Sequence, residues 1–146
     1  MATEYDEMDD DMDEGEEVEE TEEEESYSTA NAAAFIGTLL MAAPAAHMLH
    51  LQTKSYATHK ALEELYTGLP EKVDALAECY QGCYGIIAKY PRMALPPLDK
   101  PIHFVAALME YVEENREGVA DESQIQNLID EIAALLDTVA YKLILS

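Results

Sequence analysis

The feature that most constrains the fold of this 146-residue chain is the spacing of its apolar residues, which recur every three or four positions in several segments. This spacing places them on one face of an α-helix, and no segment of useful length shows the alternation of a half-buried strand. The clearest stripe, near the carboxyl end, comprises Leu128, Ile132, Leu135, Val139 and Leu143. The sequence therefore predicts an all-α fold.

Capping and helix-breaking residues divide the first half of the chain into two helices. The first begins at the N-cap candidates Ser28 or Thr29, and Pro44 should kink or divide it. A break at 53–55 follows. The second helix then runs from about Tyr56 to Tyr80, with its apolar stripe on one face.

The longest connection, 82–101, holds four of the six prolines and two of the six glycines, and we expect one helical turn near 86–90. Pro101 is a good first residue for a third helix, and Asp121 or Ser123 can cap a fourth. Two helices, a long link and two more helices are compatible with a four-helix bundle of ferritin-like topology.

The charge of the chain is concentrated at its amino end. Residues 1–26 hold 16 of the 31 acidic residues and no Lys or Arg, and the formal net charge of the whole chain is −23. Such a segment repels itself and has little to bury. We therefore predict a disordered acidic tail over 1–27 and one helical bundle domain over 28–146. The tail could keep the protein soluble, engage a basic protein or mimic nucleic acid, whereas direct DNA binding is disfavoured.

Several other functions are disfavoured by what the sequence contains. The amino end is acidic where a secretory signal is basic, and the apolar stretch Ala30–Leu49 is rich in alanine and interrupted by Pro44, so we expect no membrane span. Cys79 and Cys83 are too few for a disulfide framework and suit a reducing compartment, such as a host cytoplasm, or a virion. No nucleophile elbow, phosphate loop or basic patch is present.

Two pairs of possible metal ligands lie on the second predicted helix. His59 and Glu63 are four residues apart, as are Asp74 and Glu78, so each pair shares a helix face. The eleven residues from Glu63 to Asp74 span about 16 Å, which is too far for one metal ion to bridge within a chain. Two copies of the helix meeting antiparallel would bring one pair opposite the other. Imidazole and carboxylate ligands of this kind suit iron or zinc.

With a histidine upstream, this spacing resembles the Dps family of mini-ferritins, whose motif runs His-Trp, His-x3-Asp, Asp-x3-Glu, and in particular ferritin-like proteins encoded by viruses of bacteria. The resemblance covers about residues 45–80. It implies a homo-oligomer with iron bound between subunits, and it leaves open whether the iron is also oxidised, as in a ferroxidase. The ligands that it implies are His47 or His50, His59, Glu63, Asp74 and Glu78. His47 has the spacing of the family, and His50 has its local context.

The chain departs from that family in several places. Leu51 stands where the family has tryptophan, Glu63 replaces an aspartate, and Gly68 and Pro70 interrupt a helix that the family keeps intact. The acidic tail replaces a basic arm, which disfavours a DNA-coating role. An alternative hypothesis is a non-catalytic viral structural or interaction protein: a helical assembly module whose acidic tail engages a basic partner, with the histidines in structural roles.

Overall fold

The computed structural model describes residues 15–96 and 98–146, with side chains from Thr29 onward. Within these residues the chain forms α-helices and one short 3-10 turn, with no β-strand, which confirms the all-α prediction. The helices are α1 (Gly15–Gln52), α2 (Tyr56–Tyr84), α3 (Pro101–Asn115, followed by the turn Arg116–Gly118) and α4 (Ser123–Ile144).

The four helices form a bundle in which α1 and α4 each pack against both α2 and α3. Near the start of α1, the carbonyl of Ala34 accepts a hydrogen bond of 3.3 Å from Tyr111, near the end of α3. Near the start of α2, Glu64 forms an ion pair of 2.5 Å with Lys142, near the end of α4. The two pairs of helices are therefore antiparallel. Because α1 and α2 are also antiparallel, α2 and α3 run in the same direction and are joined by one long crossover.

One hydrophobic core runs through the bundle. The α4 stripe was predicted nearly correctly: Ile132, Val139 and Leu143 are buried, while Leu128 and Leu135 lie at its edge. The buried face of α1 is rich in alanine, which lets the neighbouring helices approach closely. The largest fully buried side chains include Phe35, Leu39, Leu62, Leu65, Leu69, Leu76, Tyr80, Phe104, Leu108 and Ile125.

Helix α1 begins upstream of the position that the sequence predicts. The described backbone is helical from Gly15, so Ser28 and Thr29 lie inside α1 instead of capping it. Glutamate is a good helix former, and a helix that has already nucleated extends at low cost. The helix thus overlaps 15–27 of the predicted acidic tail, and 1–14 lie outside the described residues. The N-cap of α4 is Glu122, which makes no side-chain capping hydrogen bond, and neither Asp121 nor Ser123 takes that role.

Two prolines lie within continuous helices. Pro44 does not divide α1, and Pro70 does not divide α2 into two shorter helices. Both prolines are exposed. A proline has no amide hydrogen, so the carbonyl group four residues before it has no donor within the helix. In both helices this carbonyl group lies toward the solvent side, where water can hydrate it. Of the two alternatives predicted for Pro44, a kink or a division of α1, the division is wrong, and α2 is intact through Gly68 and Pro70.

The crossover, 85–100, contains no helical turn in its described residues, so the turn predicted at 86–90 is wrong. Instead α2 continues to Tyr84 and ends at Gly85, whose φ of 96° favours glycine. The crossover then passes over α1 at Gly37. A Cβ atom there would lie 2.9 Å from the Cε of Met93 and 3.2 Å from a ring carbon of Tyr90. Glycine thus allows the crossover to lie close to α1.

The described part of α1 passes a length and composition test for a membrane-crossing helix. The stretch Thr29–Gln52 is sufficiently long and apolar, and 67% of its most apolar window is buried inside the protein. A helix at the centre of a water-soluble bundle gives the same result, because its apolar residues face the neighbouring helices. This finding therefore carries little weight as evidence for a membrane.

Candidate functional site

The turn between α1 and α2 brings two histidines together. The turn is held by Ser55, whose hydroxyl accepts a hydrogen bond of 3.2 Å from the amide of Thr58, and by Thr53, whose hydroxyl accepts one of 3.2 Å from the amide of Ser55. His50 in the last turn of α1 then lies against His59 in the first turns of α2. Their ring centroids are 3.5 Å apart, and the ring planes differ by 18°.

The two imidazoles make reciprocal hydrogen bonds to the backbone. The Nδ1 atom of His50 lies 2.6 Å from the carbonyl oxygen of His59, and the Nδ1 atom of His59 lies 2.9 Å from the carbonyl oxygen of His50. A carbonyl only accepts hydrogen bonds, so each Nδ1 must carry the proton and donate it. In the neutral rings both Nε2 atoms therefore keep a free lone pair. Metal-binding histidines have the same tautomer when Nε2 is the ligand.

The reciprocal bonds also stabilise the corner. The carbonyl of His50 is among the last four of α1, which have no partner within the helix. The Nδ1–H of His59 satisfies it, and the preceding carbonyl, that of Leu49, accepts from the amide of Thr53 at 3.1 Å. His50 is only 6% exposed, whereas His59 is half-buried at the surface of the corner. The pair thus caps the carboxyl end of α1 and fixes the orientation of both rings.

His47 and Tyr66 extend the cluster along the bundle. Their rings stack with centroids 4.0 Å apart and planes at 7°, and the ring of Tyr66 meets that of His50 edge-on at 4.9 Å. The hydroxyl of Tyr66 lies 3.5 Å from Nε2 of His50, a long hydrogen bond that an incoming ligand could replace. His47 is exposed and lies 5.7 Å, between centroids, from His50. Of the two histidines that the sequence left open, His50 contacts His59, and His47 contacts Tyr66.

Glu63 is the acidic group closest to these histidines among the predicted ligands. Its carboxylate binds the ammonium of Lys60 at 2.6 Å. The pKa of Glu63 is lowered, chiefly by this hydrogen bond and the charge of Lys60, and to a smaller degree by the electrostatic influence of His50 and His59. The pKa of Lys60 is raised by the same contact. Glu63 is therefore ionised at neutral pH and lies at the edge of the cluster, paired with a cation that another cation could displace.

Asp74 and Glu78 are exposed and lie farther along α2. The structure does not bring them to the histidines, as the rise of the helix requires. Within 15–96 and 98–146, no group of three or more His, Cys, Asp or Glu side chains is arranged to hold a metal ion. A single chain therefore presents the stacked imidazoles of His50 and His59 with Glu63 nearby, and its described residues hold no complete metal site.

The two cysteines lie at the other end of α2. Both are free, with Cys79 half-buried and Cys83 exposed. The pKa of the Cys79 thiol is raised, mainly by burial and then by Cys83 and Glu122. Tyr84 donates a short hydrogen bond to Glu122, which raises the pKa of Tyr84 to about 12 and lowers that of Glu122. A raised thiol pKa keeps Cys79 protonated and makes it a poor nucleophile.

The sequence of the chain matches the profile of a protein family described as a family of unknown function, DUF5856, over residues 50–143. It is also 29% identical over 108 residues to a protein of Enterobacteria phage T4 described as an uncharacterized 14.6 kDa protein in the mobD-ri intergenic region. That match covers 73% of this chain and 82% of the phage protein. No solved structure matches the chain.

Proposed function

The chain belongs to the DUF5856 family, and for this member we propose a ferritin-like protein of phage type that binds iron, or a similar transition metal, between two copies of the chain. The observation that carries the proposal is the reciprocal pair of hydrogen bonds at the corner. They hold His50 and His59 in one tautomer, so that neither Nε2 atom carries a proton in the neutral ring; the Nε2 atom of His50 has only the long contact of 3.5 Å with the Tyr66 hydroxyl. Backbone carbonyls commonly orient metal-ligating histidines in this manner.

The remaining ligands would come from the second copy. The pairs His59–Glu78 and Glu63–Asp74 have the same midpoint on α2, between Gly68 and Leu69. A two-fold axis through that point would place His59 opposite Glu78 of the second copy, and Glu63 opposite Asp74. Both carboxylates of the second contact are negative and would repel each other without a cation. A divalent ion between them removes this repulsion, and mixed imidazole and carboxylate ligands suit iron or zinc.

Metal titration of the full chain tests this proposal, with Co²⁺ as a spectroscopic probe and Fe²⁺ under anaerobic conditions. We expect two ions per dimer, one for each chain, and a loss of affinity of about tenfold or more in H59A and in the D74N/E78Q double variant, because each lacks ligands that bind the ion directly. H103A is the matched control, since His103 is exposed and lies on α3. Admission of air to the ferrous protein then reports oxidation by near-ultraviolet absorbance.

Two outcomes would reject the proposal. Wild-type protein that binds no more metal than H59A would show that the histidines have only a structural role. Binding that is lost in H59A but unchanged in D74N/E78Q would show that the ion is not shared as described. Metal binding without oxidation would leave a storage or structural metal site and reject the ferroxidase activity alone.

A second candidate function is an assembly module of a virus that captures a basic partner through its acidic amino end. The charge distribution favours it, since residues 1–26 hold 16 acidic residues and no basic one. Poly-L-lysine is a suitable probe. We expect salt-sensitive capture by the full chain and none by a variant lacking 1–26, because interactions between exposed charges are screened by salt. Equal capture by the truncated chain, or capture that salt does not weaken, would contradict this function.

A further inference from the structure

From Thr29 to its end at Gln52, helix α1 carries no charged side chain on its exposed side. From Ser26 to Thr53 the sequence has no Asp, Glu, Lys or Arg, although the whole chain carries a formal charge of −23. Six exposed residues define what we call the α1 outer face: Leu40, Met41, Pro44, His47, Met48 and Leu51. Leu51 is 69% exposed, and Met41 and Met48 are each 48% exposed. A contiguous apolar surface of this kind on a small protein marks an interaction site.

Five of the six residues of the α1 outer face, all except Leu51, are placed symmetrically about Pro44. Leu40 and Met48 lie four residues before and after it, and Met41 and His47 lie three residues before and after it. When two identical helices pack antiparallel across a two-fold axis, position i faces the position equally far on the other side of the axis. An axis at Pro44 therefore places Leu40 opposite Met48 of the second copy. The same axis places Met41 opposite His47 of the second copy.

The level of this axis agrees with that of the α2 pairing. The stacked rings of His47 on α1 and Tyr66 on α2 lie at the same height along the bundle. Because α1 and α2 are antiparallel, three residues back from His47 correspond to three residues forward from Tyr66. This contact therefore puts Pro44 level with Leu69. The contact between His50 and His59 instead puts Pro44 level with residue 65. The midpoint of the two α2 pairs falls between residues 68 and 69. Both estimates lie within about one helical turn, 5.4 Å, of that midpoint.

We infer that the α1 outer face is the surface through which two copies of this chain associate, about a two-fold axis at the level of Pro44 and Leu69. The shared level of the α1 outer face and of the two α2 pairs selects a second copy as the occupant. The face is free of charge, so two copies can meet there while their acidic residues stay in water. The ligand set at His50 and His59 is also incomplete in one chain. The interface needs no metal, and its link to that ligand set rests on the proposed function.

The mass of the full chain in solution tests the interface, measured by light scattering or sedimentation in the presence of a chelator. We expect an even number of 16.2 kDa chains. M48E and L40K should each raise the dissociation constant at least tenfold, because each dimer would bury the new charge twice. I144E is the matched control: Ile144 is 69% exposed, lies on α4 and is outside the face. Its mass should equal that of the wild type.

Mixing two variants tests the antiparallel register. In a mixed dimer of L40K and M48E, the new lysine faces the new glutamate once, and the other contact keeps Leu40 against Met48. The mixture should therefore associate more tightly than either variant alone. A P44C variant, made with Cys79 and Cys83 changed to serine, should form a disulfide-linked dimer on oxidation. I144C in the same background should not form one.

The results separate this inference from the proposed function. A monomeric wild type at high concentration, a mass unchanged in M48E and L40K, or a mixture that associates no better than its components would overturn the interface. A chelated chain that dimerises through this face supports the interface, and failure of that dimer to bind metal overturns the proposed function alone. A monomeric M48E that binds metal as tightly as the wild type also supports the interface and overturns the shared site.

Discussion

Removing the two corner histidines one at a time and together should reveal how the first interhelical turn is stabilised. In H59A the carbonyl of residue 50 loses its donor, but the imidazole of His50 keeps its bond, because that bond goes to the backbone of residue 59. In H50A the Nδ1–H of His59 still donates to the carbonyl of residue 50, because that bond also goes to the backbone. Each single variant thus removes one hydrogen bond and the ring contact, and the double variant removes both bonds.

The magnitudes follow from these contacts. One hydrogen bond contributes about 1 kcal/mol, and a stacked pair of rings about 0.5–1.5 kcal/mol. We expect H59A to lower the free energy of unfolding by about 1.5–2.5 kcal/mol. H50A should cost about 2–4 kcal/mol, because His50 is 6% exposed and its removal leaves a cavity. The interaction energy of the double-mutant cycle should be only about 0.5–1.5 kcal/mol, since the rings share the stacking contact and the bonds go to the backbone.

Urea denaturation followed by circular dichroism at 222 nm measures these values, with a chelator present so that bound metal makes no contribution. H103A should remain within about 0.5 kcal/mol of the wild type, as expected for an exposed substitution. A loss below about 0.5 kcal/mol in H59A would show that the reciprocal bonds do not cap α1. An interaction energy above about 3 kcal/mol would require a direct bond between the two side chains, which contradicts the arrangement described.

Three further changes test other parts of the bundle. G68A should stabilise the protein by about 0.5–1 kcal/mol in urea denaturation, because alanine is the better helix former and its Cβ would meet Leu135 at an ordinary 3.4 Å; destabilisation would mean that α2 is not continuous there. L76A should cost about 2–5 kcal/mol in the same assay, since Leu76 is fully buried; a cost below about 1 kcal/mol would contradict its burial. The pKa of Tyr84 is about 12 in the folded protein and about 10 in the unfolded chain. The protonated phenol therefore stabilises the folded state fully below pH of about 10, and this stabilisation is lost as the pH rises through about 12. Absorbance at 295 nm should show that E122Q shifts this titration to lower pH, and an unchanged titration would contradict the cause given.

Much of the secondary structure could be predicted from local sequence. Pro101 is the first residue of α3, and the α4 stripe predicted a helix that the structure contains. The predictions at Pro44 and Pro70 were less accurate, because a proline acts locally as a helix breaker but can be accommodated when neighbouring helices hold the rest of the helix in place. The N-cap predicted at Ser28 or Thr29 was wrong, because α1 extends upstream to Gly15 and local capping signals do not record how far a nucleated helix continues.

The candidate site was predictable in part. The four-residue spacing of His59 and Glu63 on a helix identified possible ligands from sequence alone. The distance from Glu63 to Asp74 along the helix predicted that the two pairs do not meet within one chain. The partner of each imidazole could not be predicted, because His50 and His47 lie nine and twelve residues from His59, on another helix. Tyr66 lies two turns from His59 on the same face, and that spacing was the available signal for its place in the cluster.

The amino-acid sequence by itself determined that the chain is helical, where its apolar faces lie and which segment is free of charge, because these properties depend on residue spacing of a few positions. Tertiary structure alone decided that His50 and His59 exchange hydrogen bonds across the corner and that Pro44 lies level with the stretch 65–69 of α2. Those relations depend on the turn at 53–55 and on the rotation of α1 against α2. Both are set by packing between residues distant in sequence, which no local pattern records.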